Sequence, residues 1–389
     1  MSQTFMGYVR PDGQVGCRNH VAVIPSVTCA GDVASAIVRQ VAGTVGYFHH
    51  QGCCQLPPDL DRVTETLISL GCSPNVGAAL IVSLGCEGTD TERLYESIRA
   101  TGKPTAVIRI QELGGVSAAI KAGIDAAQEL VMEISGLERQ RVDISRAVMS
   151  IKCGASDTTS GMASNCVIGY VADKLVDLGA AVIFGETTEF LGGEHLLARR
   201  AVTPEVGQQI YDIVDRMEAR ARSLGCDMRK GQPTPGNIEG GLSSIEEKSL
   251  GAIVKSGTQP IQGVLDYPER IGGRKGLWIK DTPGREPEIL TGMAATGAQF
   301  MMFSTGRGAP QGFPTMPVLK VCGNPNTYAR MEHDMDLNAG RIITGEASIE
   351  QVGEEAFAAI LALLSGRQTK NETLGYHSSI DIYTLGPVI

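Results

Sequence analysis

The hydrophobic positions of this chain fall into short unbroken runs. Each run is followed by a polar, glycine-bearing loop and then by a stretch with helical spacing. Residues 21–25, 43–48, 78–84 and 105–110 are four such runs in the first third. Apolar runs of this length bounded by turn residues predict buried strands, and the periodic stretches between them predict helices. The helices are expected from Asp32 to about 41, over about 59–70, after Asp90 to about 100, and up to about 134. Strand–helix alternation of this kind predicts a parallel sheet with helices on both faces. A short charged stretch, 137–143, marks an expected boundary between a domain at 1–140 and a second at 141–389. Beyond it the pattern restarts. Strands are predicted at 147–151, 180–184, 277–279, 299–303 and 318–321. Helices are predicted from about 164 to 178, twice between 194 and 224, at 245–255 and at 350–364. The expected fold is α/β, with two Rossmann-like parallel-sheet halves and helices on both faces. One polar segment, 231–244, is long for a loop inside a compact domain, and loops of that length are usually functional.

Composition narrows the class. Of 389 residues, 42% are hydrophobic and 20% charged, an ordinary globular balance. Aromatics are only 5%, so the core must be aliphatic, as in parallel sheets. The net charge is −9 with no Lys/Arg block, which disfavours nucleic acid. No apolar run approaches the roughly 18 residues of a membrane span, and the N-terminus has no secretory apolar region. A cytoplasmic location without membrane contact is expected. The ten cysteines form no small-domain staple pattern and read as thiols, some of them ligands or reactive. No Gly-x-Gly-x-x-Gly follows the first strand, which argues against a dinucleotide enzyme.

Four predicted strands end in a cysteine-bearing loop, at Cys29, Cys53, Cys86 and Cys153. In parallel sheets such loops converge, and ligands sit beyond the carboxyl ends of the strands. Three converging thiolates suit zinc or an iron–sulfur cluster. Paired Cys-x-x-Cys knuckles are missing, which disfavours a zinc ribbon. Three cysteines on a [4Fe–4S] cluster leave one iron open as a Lewis acid. The bland alternative is that at least two of the four are inert buried thiols. His49 offers a nitrogen ligand or a general base. Glu87 offers a ligand, a base, or simply a carboxylate at a helix N-terminus. The densest stretch is 152–161, where Lys152, Cys153, Ser156 and Asp157 share one loop. Arg307, flanked by Gly306 and Gly308, reads as an anion clamp, with Lys152, Lys248 and Arg18 as further cations. Any one of them is equally a solvated charge.

Taken together, Gly7-Tyr8-Val9-Arg10, Arg18-Asn19, His49, Gly52-Cys53, Gly85-Cys86-Glu87 and Lys152-Cys153-Gly154 with Ser156-Asp157 resemble the altronate and galactarate dehydratases. So do Gly185-Glu186-Thr187, Pro235-Gly236-Asn237, Lys248-Ser249-Leu250-Gly251, Asp281-Thr282-Pro283-Gly284, Thr305-Gly306-Arg307-Gly308 and 334–338. The resemblance covers nearly the whole chain. It implies iron-dependent β-elimination from a 2-hydroxy acid, with iron as Fe2+ or a [4Fe–4S] cluster held by Cys53, Cys86 and Cys153. It implies catalytic roles for His49, Glu87, Lys152 and Lys248, with His49 or Glu87 as the base. Substrate contacts are expected from Arg18, Ser156, Asp157, Asn237, Thr305 and Arg307. Fused members of the family carry a further small SAF-type domain, whereas this chain starts directly at the large one. That shifts the expectation to a two-subunit carbon–sulfur lyase, with a small SAF-type alpha subunit as partner, acting on 3-sulfolactate to give pyruvate and sulfite. An oligomer is expected. A sugar-acid dehydratase, a non-catalytic scaffold subunit and a zinc hydrolase are the alternatives.

Overall fold

The computed structural model describes residues 3–377 and 380–387. Its strands, in chain order, are β1 Thr4–Val9, β2 Val15–Gly16, β3 His20–Pro25, β4 Thr44–Gly46, β5 Val76–Ser83, β6 Thr105–Arg109 and β7 Gln140–Asp143. They continue with β8 Val148–Cys153, β9 Ala181–Phe184, β10 Ile261–Leu265, β11 Gly276–Lys280, β12 Phe300–Thr305, β13 Val318–Cys322 and β14 Leu337–Asn338. Two sheets are parallel throughout: β4-β3-β5-β6, and β10-β11-β9-β8-β12-β13-β14. The expected α/β fold with parallel sheets flanked by helices is therefore present. A third, antiparallel sheet, β2-β1-β7, ties the N-terminal arm to the segment at 140–143.

The sequence accounts for the central strands. All eight residues of β5 are buried, as expected of an apolar run with both faces covered. Helices Gly31–Gln40 and Val116–Ser135 supply Val33, Ile37, Ala127 and Leu130 to the outer face of the small sheet. Helices Asn165–Asp177 and Ile349–Leu364 cover the outer face of the large sheet with Val167, Val171, Phe357 and Ile360. Between the sheets lies one continuous apolar layer. Helix Pro57–Gly71 from the first half and helix Glu286–Ala295 from the second meet there, with Tyr47, Ile183, Met293, Phe303 and Ile380. The inner faces thus share a core, and the carboxyl ends of both parallel sheets are fixed relative to one another.

Three local features depart from the pattern. β10 is an edge strand of alternating burial that the sequence pattern did not mark. The polar segment 231–244 contains a short helix, Pro235–Glu239, started by a Thr234–Asn237 capping box. The helix expected from 164 begins earlier, as a π-helical turn at Ser160–Ser164; such turns are frequent at functional sites. Among the described residues no helix is long and apolar enough to cross a membrane.

Candidate active site

The site grows from the end of β8, a central strand of the large sheet. Register places Phe303 of β12 beside Lys152 and Ser304 beside Cys153. After Cys153 the chain turns sharply. Ala155 has φ +48°, and its carbonyl accepts the N–H groups of Gly306 (3.3 Å) and Arg307 (2.9 Å). The neighbouring strand β9 is followed by Glu186, fully buried at φ +72°. A side chain in the left-handed region costs energy and persists where surrounding structure imposes it, commonly at functional sites. Among the described residues only Cys54 joins Ala155 and Glu186 as a non-glycine with positive φ.

These turns gather a buried charge cluster. The Lys152 ammonium contacts Glu186 Oε1 and donates to the carbonyls of Cys153 (2.5 Å) and Gly284 (3.1 Å). Glu186 Oε2 accepts the Cys153 N–H at 3.0 Å and contacts Lys255 Nζ. Lys255 Nζ also reaches Cys153 Sγ at 3.1 Å and Glu189 Oε2 at 3.2 Å. The Cys153 thiol donates to Glu189 Oε2 at 2.9 Å, and Lys248 Nζ lies 3.4 Å from Glu189 Oε1. Burial alone would strip the charge from Lys152 and Lys255, but the carboxylates around them outweigh it and hold both protonated. Burial and the same carboxylates push the Cys153 thiol up, so it stays protonated. Burial also works against ionised Glu189, and Lys255, Lys248 and Lys152 reverse that, holding its carboxyl well below the usual range. Lys152 and Lys255 thus balance Glu186 and Glu189, and Lys248 stands at the edge of the cluster beside Glu189.

Two clefts open on this cluster. One, of about 670 Å³, is lined by Lys152, Cys153, Ser156, Glu189, Lys248 and Glu286, among others. A smaller one of about 250 Å³ shares Cys153, Ser156 and Lys248 and adds Asp157 and Met162. Gly154 lies on the floor, where a Cβ would come within 2.5 Å of Glu286 Oε1. Lys152 on the floor and the small volume suit a compact organic anion.

The structure sorts the other expected site residues. Asp157 caps its own turn, accepting Thr159 Oγ1 (2.6 Å), Ser160 N (2.9 Å) and Asn324 Nδ2 (3.1 Å). Asn237 is a positioning residue whose Nδ2 donates to the Ser156 carbonyl at 2.9 Å. Thr305 is buried and accepts the N–H groups of Gly308 and Ala309. Arg307 is exposed, pairs with Glu239 at 3.0 Å, and lines neither cleft. Arg18 is not at the clefts. It is buried against Glu372 (2.6 Å) and the carbonyls of Cys17, Leu363 and Arg367, tethering the C-terminal helix Lys370–Leu374.

His49 and Glu87 stand on the loops after the small sheet. The His49 ring has both nitrogens engaged, Nε2 with the Pro25 carbonyl at 2.7 Å and Nδ1 with the Gln51 N–H at 3.2 Å. Burial brings its pKa down to about 4. A neutral ring with no free lone pair fits a structural staple and not a proton acceptor. Burial disfavours ionised Glu87, but hydrogen bonds from Ser26, Ser83 and the Gly85 N–H prevail and bring it to about 2. That carboxylate is too weak a base for a reluctant carbon acid.

Two places carry donors suited to a metal. Cys153, Glu186 and Glu189 bring ligand atoms within 4.8 Å of one another, the one such group among the described residues. Lys255 already bonds to all three, so the group is charge-balanced by ammoniums. Cys53 and Cys86 are exposed. Their sulfur contacts are with Cys54 and Gln111, not with a cation. Soft thiols of this kind fit iron.

Sequence reasoning missed Lys255, Glu186 and Glu189 as site residues. Lys255 lies just past the C-terminus of helix Ile245–Val254, where a lysine ordinarily complements the helix dipole. The signal that was available is the Gly185-Glu186-Thr187-Thr188-Glu189 run directly after a buried strand, two carboxylates where the sheet opens.

The C-terminal family model of D-galactarate/altronate dehydratase matches residues 144–388, and the second-domain model of D-galactarate dehydratase/altronate hydrolase matches residues 7–135. The (2R)-sulfolactate sulfo-lyase subunit beta of Chromohalobacter salexigens is 38% identical over 380 residues, 97% of each chain. Galactarate dehydratase (L-threo-forming) of Escherichia coli is 32% identical, covering 99% of this chain and 77% of that one. Altronate dehydratase of Bacillus subtilis is 30% identical, covering 95% and 76%. With its buried lysine–glutamate–cysteine cluster at the end of β8, this chain belongs to the D-galactarate/altronate dehydratase family.

Proposed function

We propose that this chain is a lyase that carries out β-elimination on a small 2-hydroxy acid, most specifically 3-sulfolactate to pyruvate and sulfite, as the large subunit of a two-subunit enzyme. The observation that carries the reading is the cluster of Lys152, Lys248 and Lys255 against Glu186, Glu189 and Cys153, opening on a cleft of about 670 Å³. The preference for the sulfonate rests on the 38% identity to a sulfolactate sulfo-lyase subunit, against 29–32% for the sugar-acid dehydratases. That relative's designation as a beta subunit supports a partner chain, and a small SAF-type polypeptide is the partner we expect.

In this reaction the C2 proton leaves, its electron pair forms the C2=C3 bond, and the C3–S bond breaks with sulfite taking the bonding electrons. The enol then gains a proton at C3 and loses its hydroxyl proton to give pyruvate. Lys248 borders both clefts and is little exposed; with His49 and Glu87 committed elsewhere, it is our candidate for moving the C2 proton. Lys152 lines the floor as a fixed positive charge, which stabilises the negative charge that grows on the substrate carboxylate as C2 ionises. Ser156, held by Asn237, places a hydroxyl beside Cys153 at 3.9 Å. Iron, when bound, would supply Lewis acidity at the substrate oxygens; among the described residues the sulfurs of Cys53, Cys86 and Cys153 do not come within 4.8 Å of one another, so the three thiols do not form its site together.

The test is an anaerobic assay of purified protein with its partner on 3-sulfolactate, galactarate and altronate. Sulfite and pyruvate from sulfolactate alone support the reading. Turnover of a sugar acid alone selects the dehydratase reading, and no turnover of any of them rejects both.

A further inference from the structure

The amino ends of the large sheet's strands lie opposite the end that carries Cys153. Six residues of β8 separate the two ends, about 17–20 Å at the rise of a strand. A cleft of about 350 Å³ opens at the amino ends, on the seam between the two halves of the chain. The β1–β2 turn at 12–15 and Pro74 wall it from the first half. Arg146, the 271–275 loop and Gln299 wall it from the second.

Three cations line this cleft, and they are not equivalent. Arg274 is already spent: its guanidinium donates to Glu269 Oε1 at 2.9 Å and to the Ile271 carbonyl at 2.6 Å, and it stacks 4.9 Å from the Trp278 ring. Arg146 and Lys275 are exposed, and their hydrogen bonds go to backbone carbonyls, those of Gly13 and Ser145. Among the described residues neither has a carboxylate within 4 Å. Burial, and after it the nearby Arg146 charge, hold the Lys275 amine below the ordinary lysine range, with Asp143 opposing them. An anion placed beside both groups relieves that repulsion. Asp12, the one acid on the cleft wall, is turned to Gln14, accepting its backbone N–H at 3.0 Å and its side-chain amide at 2.5 Å.

The 271–275 loop adds backbone donors. Gly272 and Gly273 stand at φ +59° and +83°, in a left-handed turn closed by the Arg274 N–H on the Ile271 carbonyl at 3.2 Å. A side chain at either position would be strained. Among the described residues the N–H groups of these two glycines have no partner. We propose that this cleft is a second anion site, separate from the substrate cleft, which takes a compact tetrahedral oxyanion of the phosphate or sulfate type on Arg146, Lys275 and the Gly272-Gly273 turn. A forked guanidinium, an ammonium and unspent backbone N–H groups are the donors such an anion takes. Because both halves wall the cleft, a bound anion ties the β1–β2 turn to the 271–275 loop. No residue of the Cys153 cluster takes part, so the assignment does not depend on the lyase reading.

The test is isothermal titration of the full-length protein with inorganic phosphate, and separately with sulfate, in chloride buffer at constant ionic strength. Wild-type protein is expected to bind at least one of the two saturably. Arg146→Gln and Lys275→Met are each expected to weaken that binding about tenfold or more. Lys121→Met, which removes a surface charge outside the cleft, is expected to leave it unchanged, and so is Lys248→Met in the substrate cleft. Both anions also stabilise proteins by exclusion from their surface, so melting temperature is not the readout; the urea midpoint without either anion verifies that each variant is folded. No saturable binding by wild-type protein, binding unchanged in the Arg146→Gln/Lys275→Met double variant, or binding lost only in Lys248→Met would each overturn the assignment.

Discussion

Replacing Lys255 by Met removes the one ammonium that touches Cys153, Glu186 and Glu189 together. Glu186 keeps Lys152, and Glu189 keeps Lys248 at 3.4 Å. Breaking a buried pair by removing one partner costs about 3–5 kcal/mol; with these second cations in place the low end applies, about 3 kcal/mol. The pH dependence has a definite sign. In the wild type the Glu189 pKa is depressed, so its contribution is fully present above the unfolded carboxyl value and is lost only as pH falls through the folded one. Without Lys255, burial favours the protonated acid. The gap between wild type and Lys255→Met is therefore widest near pH 7 and smaller near about pH 4, where the variant's Glu189 is already protonated. Urea unfolding at both pH values measures it, and adding Glu189→Gln should recover about 1–2 kcal/mol at pH 7 by removing the orphaned charge. A loss below about 1 kcal/mol at pH 7, with no recovery from the second substitution, would refute the picture of a mutually compensated cluster.

Other outcomes follow from the same contacts. Lys248→Met should lower kcat/KM for sulfite release about a hundredfold or more, while the urea midpoint moves little; a full loss of folding would count against a role in proton movement. Lys280 is buried with its amine on the Glu269 carbonyl at 2.7 Å, and burial brings its pKa down to about 7. The unfolded chain binds that proton more tightly, so wild-type stability should rise with pH between about 7 and 10.5. Lys280→Met should flatten that rise and add about 2 kcal/mol near pH 7, read by urea unfolding across the range. Gly306→Ala places a Cβ 1.9 Å from Asp157 Oδ1 and should cost about 2–3 kcal/mol by displacing the cap of the 156–160 turn, measured by thermal melting.

The sheets were legible because parallel strands buried on both faces are written as near-continuous apolar runs, as in β5. β10 escaped because it lies at an edge, with Gly263 at its centre and alternating burial. The pairing of β1 with β7 escaped because it joins residues more than 130 apart, and no local pattern reports such a contact. At the site, Lys152 and Cys153 stood out from the polar loop after a buried run. Their partners did not, since Glu186 and Lys255 lie 33 and 102 residues from Cys153 and converge only through the sheet. Arg18 and His49 were read as functional because an isolated cation or imidazole carries no mark of burial in sequence. In the fold, one is a tether and the other a staple.

The central claim is that the cluster beside Cys153 receives the small acid. A structure determined with an unreactive 3-sulfolactate analogue tests it most directly. The account predicts the ligand in the cleft of about 670 Å³, its carboxylate on Lys152 and its C2 facing Lys248. A ligand bound elsewhere, with that cleft empty at saturation, would contradict it.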